Sequence, residues 1–225
     1  MTEEKLKTTN PLIIKLLYQL LYDVKSILEI NDIKYWAIGG TFLGAIRHKG
    51  IIPWDDDADI AIKKEDLKAF LDLEPIFQKL GYSMVKMFFG YKLYYSKRKP
   101  KGNLPFSFPN LDIFVYKLDD TSKKYVQSYK KARDTWPKEY FSVEQIENSE
   151  ERPFGSFLLT CPSEHKKIFD RYFGKDWNVI GYREYDHEKE EAVEKVKVRL
   201  TKSDRVPAQP INKVINKRII SKLRK

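Results

Sequence analysis

The chain has 225 residues, of which 42% are hydrophobic and 14% aromatic. This length suits one domain with room for a small appendage, and the apolar content excludes a chain that is disordered as a whole. The formal net charge of +10 predicts attraction to anions, such as nucleotides, phosphorylated glycans, anionic lipids or nucleic acids. Charge alone does not choose among them.

Cysteine and histidine usage limits the chemistry. The single cysteine, Cys161, cannot form an intramolecular disulfide, which favours a reducing compartment. The three histidines, His48, His165 and His187, are far apart in the sequence, and no Cys/His spacing typical of a zinc site is present. A catalytic metal should therefore be a hard cation with oxygen ligands.

The N-terminal region predicts a cytoplasmic protein. Residues 1–10 are polar and lack the basic-then-apolar order of a signal peptide. The apolar stretch 11–30 is interrupted by charged and polar side chains. We therefore expect an amphipathic helix there and not a membrane span.

In chain order, the first predicted helix begins at Pro11, a favourable first residue, and its leucines recur at three- and four-residue steps. Gly81 is a typical residue to end a later helix, and the stretch after it alternates as strands do. We predict helices over 11–29, 41–48 and 64–80, and strands over 34–38, 57–62, 82–89, 91–96 and 111–116.

The second half of the chain is less regular. We predict short helices over 125–133 and 163–173, and a charged, solvated helix over 186–196. These elements predict an α/β (α+β) fold, a small mixed sheet flanked by helices with C-terminal helical additions. We place a catalytic domain at 1–185 and a charged helical C-terminal extension at 186–225.

The last segment, 211–225, contains no acidic side chain. Its apolar residues share one side of a predicted helix, and lysines and arginines occupy the rest. Such a segment could dock on its own domain or contact an anionic membrane surface.

The most informative stretch is 36–62, WAIGGTFLGAIRHKGIIPWDDDADIAI. A predicted strand ends at Gly39-Gly40, where glycines let the backbone approach a phosphate and the next helix offers unpaired N–H donors. On the following strand, alternation places Asp57 and Asp59 on one face. Their oxygens could share a divalent cation there.

A third carboxylate is available on another predicted strand, Asp112 in LDIFVY. It could bind a second metal ion or accept a proton from an attacking hydroxyl. Each fragment is weak alone, because Asp-x-Asp and Gly-Gly are common. The ordered combination is stronger, since the aspartates of 55–57 and Asp59 would repel one another without a compensating cation. An exposed acidic loop is the alternative, and the apolar flank of Pro53 and Trp54 disfavours it.

The stretch GGTFLGAIRHKGIIPWDDDADIAI resembles the signature of the LicD/fukutin family, which belongs to the nucleotidyltransferase superfamily. The resemblance continues through LDIFVY and through 162–177, which is similar to the family's C-terminal Tyr/Phe-Gly-x-x-Trp region. It implies a nucleotidyltransferase-like fold. It also implies a metal-dependent phosphotransferase that moves a phosphorylated alcohol, such as phosphocholine or ribitol phosphate, from a CDP-linked donor to a glycan hydroxyl, releasing CMP.

The resemblance also implies roles for individual residues. Asp57 and Asp59 match the family's metal-binding pair and Asp112 its third carboxylate, so these three are expected to bind Mg²⁺ or Mn²⁺ and to be catalytic. The residues that match the phosphate-side turn, and are expected to bind substrate, are Gly39, Gly40 and Thr41.

Two basic side chains are further candidates for substrate binding. Arg47 could hold a donor phosphate with its planar guanidinium, or pair with Asp55 or Asp56. Lys92 lies near an aromatic-rich segment that could hold nucleotide or acceptor.

Two other functions stay open. A nucleotidyltransferase would attach the nucleoside monophosphate itself to its acceptor, and a non-catalytic nucleic-acid-binding module would use the positive charge. No RNA- or DNA-binding motif is recognisable, and an acidic cluster contacts phosphate backbones poorly. We therefore expect no nucleic-acid partner.

Overall fold

The computed structural model describes residues 6–209, and its centre is a seven-stranded mixed sheet. Five strands run in the order β1-β2-β5-β4-β3, and β6 and β7 extend the sheet beside the second half of β5. The pair β2–β5 is parallel, and the other pairs are antiparallel. The strands are β1 (Tyr35–Ala37), β2 (Asp59–Lys63), β3 (Tyr82–Lys86), β4 (Gly90–Tyr95), β5 (Asn110–Asp119), β6 (Lys124–Gln127) and β7 (Tyr140–Ser142).

Helices and two further hairpins surround this sheet. The helices are α1 (Pro11–Ile30), α2 (Gly39–Arg47), α3 (Leu67–Asp72), α4 (Glu74–Lys79), α5 (Lys130–Thr135), α6 (Val143–Glu147) and α7 (His165–Tyr172). The hairpins are formed by β8 (Glu150–Phe154) with β9 (Phe157–Cys161), and by β10 (Ile180–Asp186) with β11 (Glu191–Arg199). Within residues 6–209, no helix has the length and apolar content needed to cross a membrane. The predicted α/β fold with a mixed sheet is confirmed.

Helix α1 forms where its sequence predicts it. Asn10 caps the helix by accepting a hydrogen bond from the Leu12 N–H at 2.8 Å. One face of the helix is buried, and it carries Asp23, which accepts a 2.5 Å hydrogen bond from the Tyr82 hydroxyl of β3. Burial raises the pKa of Asp23 to about 6, although the bonds from Tyr82 and Gln19 oppose the shift. This polar contact joins α1 to the edge strand of the sheet.

The parallel pair β2–β5 positions the candidate site. Its register sets Asp59 opposite Asp112 and Ile60 opposite Ile113. The isoleucines are fully buried, and this burial fixes the register, because a shift by one residue would move them to the other face. The two aspartates therefore lie side by side at one edge of the sheet.

Two predicted helices are only partly present. The region 64–80 is a short 3-10 turn followed by α3 and α4, which are separate because Pro75 lacks the N–H that a continuous helix needs. The region 125–133 begins as the strand β6, in which Tyr125 and Gln127 are buried at alternate positions, and becomes helical only at Lys130. In both regions the helices are shorter than the periodicity of the sequence predicts.

The predicted helix over 186–196 is wrong. This region turns between β10 and β11, so the described part of the C-terminal additions is a β-hairpin followed by one 3-10 turn, Ser203–Arg205. Charge dominates the composition, but Val196 and Val198 recur at alternate positions, and such β-branched residues favour strands. The predicted domain boundary after residue 185 falls within β10, and the basic segment 211–225 lies outside the described residues.

A buried polar cluster links the sheet to α7. The carboxylate of Glu139 accepts a hydrogen bond from Gln127 at 3.1 Å and is also bonded by the hydroxyls of Tyr116 and Tyr172. Burial raises the pKa of Glu139 to about 7, although these hydrogen bonds lower it. At neutral pH the folded protein therefore holds a partly protonated carboxyl group here.

This cluster makes stability depend on pH. Because the pKa of Glu139 is higher in the folded state, the native protein binds more protons between its ordinary pKa and about 7. The contribution of Glu139 to the free energy of unfolding therefore falls as the pH rises from the ordinary pKa of a glutamate to about 7. We expect Glu139→Gln to gain about 2–3 kcal/mol relative to wild type between pH 5 and pH 8, measured by urea unfolding at both pH values.

The exposed Glu194 provides the matched control, and Glu194→Gln should show no such change with pH. An equal stability difference between Glu139→Gln and wild type at pH 5 and pH 8 would contradict the prediction.

Candidate active site

Four aspartates line one cavity at the edge of the sheet where β2 begins. The cavity has a volume of about 580 Å³, and its walls include Asp55, Asp57, Asp59 and Asp112. Asp55, Asp57 and Asp59 follow one another at alternate positions. The structure thus brings the three predicted acids together and adds Asp55.

The start of α2 is tied to the start of β2. The Thr41 hydroxyl accepts a hydrogen bond from the Asp59 N–H at 2.8 Å, and the Ile38 N–H donates to the Asp59 carbonyl at 3.3 Å. The Asp112 N–H donates to the Ala58 carbonyl at 2.9 Å. Thr41 therefore positions the Asp59 backbone, and its predicted contact with substrate stays a prediction.

Gly39 and Gly40, the first two residues of α2, lie against these carboxylates. A Cβ on Gly39, whose φ is +52°, would lie 3.1 Å from Asp59 Oδ2, and a Cβ on Gly40 would lie 2.5 Å from Asp55 Oδ2. A side chain at Gly40 would collide with the acid. The glycines therefore let two carboxylates reach the N-terminal end of α2, whose unpaired N–H groups favour negative charge.

His187 from the β10–β11 turn lies between two of the aspartates. Its Nδ1 is 2.6 Å from Asp56 Oδ1, and its Nε2 is 3.0 Å from Asp57 Oδ2. Burial opposes the charged imidazole, but the two carboxylates raise the pKa of His187 well above its usual value. In the same way, burial alone would raise the pKa of Asp57, and His187 lowers it to about 2. The imidazole and the Asp57 carboxylate therefore stabilise one another's charged forms. A cation that bound His187 would have to displace its proton.

Lys92 of β4 pairs with Asp112, as His187 pairs with Asp57. Its Nζ lies 2.9 Å from the Asp112 carboxylate, 3.0 Å from Asn110 Oδ1 and 3.3 Å from Glu190 Oε1. Burial opposes its charge, yet the neighbouring acids raise the pKa of Lys92. Because this buried amine already has three partners, its predicted contact with substrate would require one of them to move.

The other three aspartates of the cavity, Asp55, Asp59 and Asp112, have too little positive charge around them to keep their usual pKa values. Burial and the charge of Asp57 raise the pKa of Asp55 well above its usual range, and burial with Asp57 and Asp112 does the same for Asp59. Burial also raises the pKa of Asp112 to about 6, although Lys92 opposes the shift. Like charges this close disfavour their own ionisation, and a cation would reverse that effect.

The donor set fits a hard divalent cation. Four carboxylates line the cavity, and magnesium prefers carboxylate oxygens. One of them, that of Asp112, is already paired with Lys92, whose Nζ lies 2.9 Å from both Oδ1 and Oδ2. Asp56, Asp57 and His187 each place one possible ligand atom within 4.8 Å of the others. In residues 6–209, no other group of three or more His, Cys, Asp or Glu side chains comes this close together. The predicted trio of Asp57, Asp59 and Asp112 is more widely spread, and Asp57 belongs to both sets.

Arg47, at the end of α2, binds protein backbone. Its guanidinium donates to the carbonyl of Trp177 at 2.5 Å and to that of Ile180 at 3.0 Å, and no ion pair within 4.0 Å joins it to Asp55 or Asp56 in residues 6–209. Burial lowers the pKa of Arg47 to about 10. The arginine thus anchors the start of the β10–β11 hairpin, and phosphate binding by it stays a prediction.

Comparison with known proteins identifies the family. The LicD/FKTN/FKRP nucleotidyltransferase domain matches residues 32–164, which include the four aspartates of this cavity.

The chain belongs to the LicD/FKTN/FKRP family.

Relatives of known sequence span this region to different extents. An uncharacterized protein of Rickettsia prowazekii, RP689, is 35% identical over 148 residues, covering 66% of this chain and 50% of its own length. Mouse ribitol 5-phosphate transferase FKRP is 26% identical over 188 residues, covering 79% of this chain and 34% of its own. The lipopolysaccharide cholinephosphotransferase LicD of Haemophilus influenzae is 49% identical over 45 residues, 20% of this chain and 17% of its own. The chain therefore spans half or less of the length of these relatives.

A solved structure of the antibiotic-resistance factor ANT(2'')-Ia is similar to this chain with a TM-score of 0.42 and 16% sequence identity, covering 72% of this chain and 73% of its own. The nucleotidyltransferase fold that the family match names agrees with the mixed sheet described above.

Sequence reasoning missed two residues of this LicD-family site. His187 is 131 residues from Asp56, and no local pattern connects them. Asp55 had a signal, because it continues the alternation of Asp57 and Asp59. Asp55 lies in the loop before β2 and lines the same cavity as Asp57 and Asp59.

Metal binding at this site should be visible as thermal stabilisation. Magnesium or manganese should raise the melting temperature of the wild-type protein, because a ligand that binds only the folded state stabilises it by about 2.7 kcal/mol at 100 times its Kd. Asp57→Asn should abolish this rise, since Asp57 is common to both candidate ligand sets.

Asp120, exposed in the turn after β5, supplies the matched control, and Asp120→Asn should keep the full rise. The metal assignment is wrong if Asp57→Asn, compared with its own EDTA-treated sample, is stabilised as much as wild type.

Proposed function

We propose that this LicD-family chain is a transferase that moves a phosphorylated alcohol from a CDP-linked donor to a glycan hydroxyl and releases CMP. The observation that carries the proposal is the set of carboxylates from β2 and β5 that line one cavity beside the N-terminus of α2. The names of two relatives, a ribitol 5-phosphate transferase and a cholinephosphotransferase, support this reaction class.

In the proposed reaction, the acceptor oxygen forms a bond to the donor phosphorus that carries the alcohol. The bond from that phosphorus to the oxygen of CMP breaks with its electron pair on CMP, and the acceptor hydroxyl passes its proton to a carboxylate of the cavity. Both the donor and the departing CMP are anions, so positive charge is required at the phosphates. A bound Mg²⁺ or Mn²⁺ would supply Lewis-acid stabilisation of this charge.

Different residues of the cavity would bind the cation and the anionic donor. Asp57, Asp59 and Asp112 would hold the cation, because their carboxylates line the same cavity. Lys92 holds Asp112 in place through its 2.9 Å ion pair. The free N–H groups at the start of α2 favour an anion nearby, and Gly39 leaves room for it to approach.

Product analysis tests the reaction directly. The wild-type protein should release CMP from CDP-ribitol or CDP-choline in the presence of magnesium and a panel of oligosaccharide acceptors. Asp59→Asn should lower the rate by ~100-fold or more, because it removes a carboxylate that positions charge in the transition state. Chromatography of the nucleotide products measures the effect.

The exposed-turn variant Asp120→Asn should retain the wild-type rate in the same assay. Pyrophosphate release from CTP, without CMP release from either donor, would replace the proposal by nucleotidyl transfer. An undiminished rate of CMP release in Asp59→Asn would contradict the assigned site.

A further inference from the structure

A second cavity, termed here the hairpin cavity, adjoins the cavity that is lined by the four aspartates. The latter is termed the acidic cavity. The hairpin cavity has a volume of about 350 Å³, and β10 forms one of its walls. The residues that it shares with the acidic cavity are Gly40, Asp55, Tyr172, Phe173, Glu184, Tyr185 and His187. A ligand in the hairpin cavity would therefore reach the carboxylates without crossing the protein.

The pairing of β10 with β11 is irregular beside the hairpin cavity. Arg183 pairs with Val196 and Tyr185 with Ala192, so the extra residues of this irregularity lie on β11, opposite Glu184. Such irregularities are frequent beside active sites. On β10, the four consecutive residues 182–185 all line the hairpin cavity, and Arg183 is one of them.

Arg183 differs from the other cations of this cavity because its side chain has no partner among residues 6–209. The side chain is half-buried, and its Nε is buried without a hydrogen bond or an ion pair to any acid in that range. Arg47, in contrast, donates to two carbonyls, and Lys195 lies 2.6 Å from the Glu184 carboxylate. A buried N–H without an acceptor is unfavourable, and an anionic ligand would supply the acceptor.

We propose that Arg183 binds a phosphate group of the nucleotide-activated donor in the hairpin cavity. Identifying the phosphate as part of that donor rests on the proposed function, whereas the anion site itself rests on the geometry. A guanidinium fork matches two phosphate oxygens. Because the aspartates alone would repel a phosphate, a cationic side chain across the shared wall lets the anion approach them.

The test compares phosphate-bearing probes with a probe that lacks phosphate. Isothermal titration of CDP, inorganic pyrophosphate and cytidine, each with magnesium, is carried out on wild type and Arg183→Gln. The variant should lose ~10- to 100-fold in affinity for CDP and pyrophosphate, the effect of one charge-assisted pair, and little for cytidine. Arg183→Lys should be intermediate, since lysine keeps the charge without the fork.

Arg199, exposed on the same hairpin, gives the matched control, and Arg199→Gln should bind all three probes as wild type does. Wild-type affinity for CDP and pyrophosphate in folded Arg183→Gln would overturn the inference, as would wild-type protein that binds neither probe. If Arg183→Gln does not fold, unchanged affinities in Arg183→Lys overturn it. Loss of pyrophosphate binding in Arg183→Gln, together with no CMP release by wild type, would refute the proposed function and leave the anion site standing.

Discussion

Mutual repulsion among buried carboxylates is the constraint on which the site depends. Asp55, Asp57, Asp59 and Asp112 share one cavity, and bringing like charges together in a site of low dielectric is unfavourable unless positive charge compensates. The fold supplies such charge from separate parts of the chain. Helix α2 directs its N-terminal end at the cluster, His187 contacts Asp57, and a lysine contacts Asp112.

This constraint explains why the β10–β11 hairpin belongs to the site. The hairpin provides His187 and Glu190 from its turn, and Arg183 from β10. Its position is secured by Arg47, which donates to carbonyls at and before the start of β10. The β10–β11 hairpin, which its sequence predicts to be a charged extension outside the catalytic domain, therefore forms part of the wall of the acidic cavity.

The sequence predicted those parts of the fold that depend on local pattern. Helix α1 follows from its cap and apolar spacing, and the shared face of Asp57 and Asp59 follows from alternation. The partners of Asp57 could not be predicted, because His187 is far away in sequence and meets it only through the turn of the hairpin. The charge of this region predicts a helix in place of the hairpin, because the alternate spacing of Val196 and Val198 is a weaker signal than the surrounding charged residues.

We propose that Asp57, just before β2, and Asp59, its first residue, hold a divalent cation where CDP binds. Crystals of the protein grown with Mn²⁺ and CDP, measured by anomalous diffraction, would locate this cation. We expect a manganese peak within about 2.5 Å of carboxylate oxygens from Asp57 and Asp59. A peak bound only by Asp56 and His187, or no peak at the aspartates while CDP is bound, would rule the proposal out.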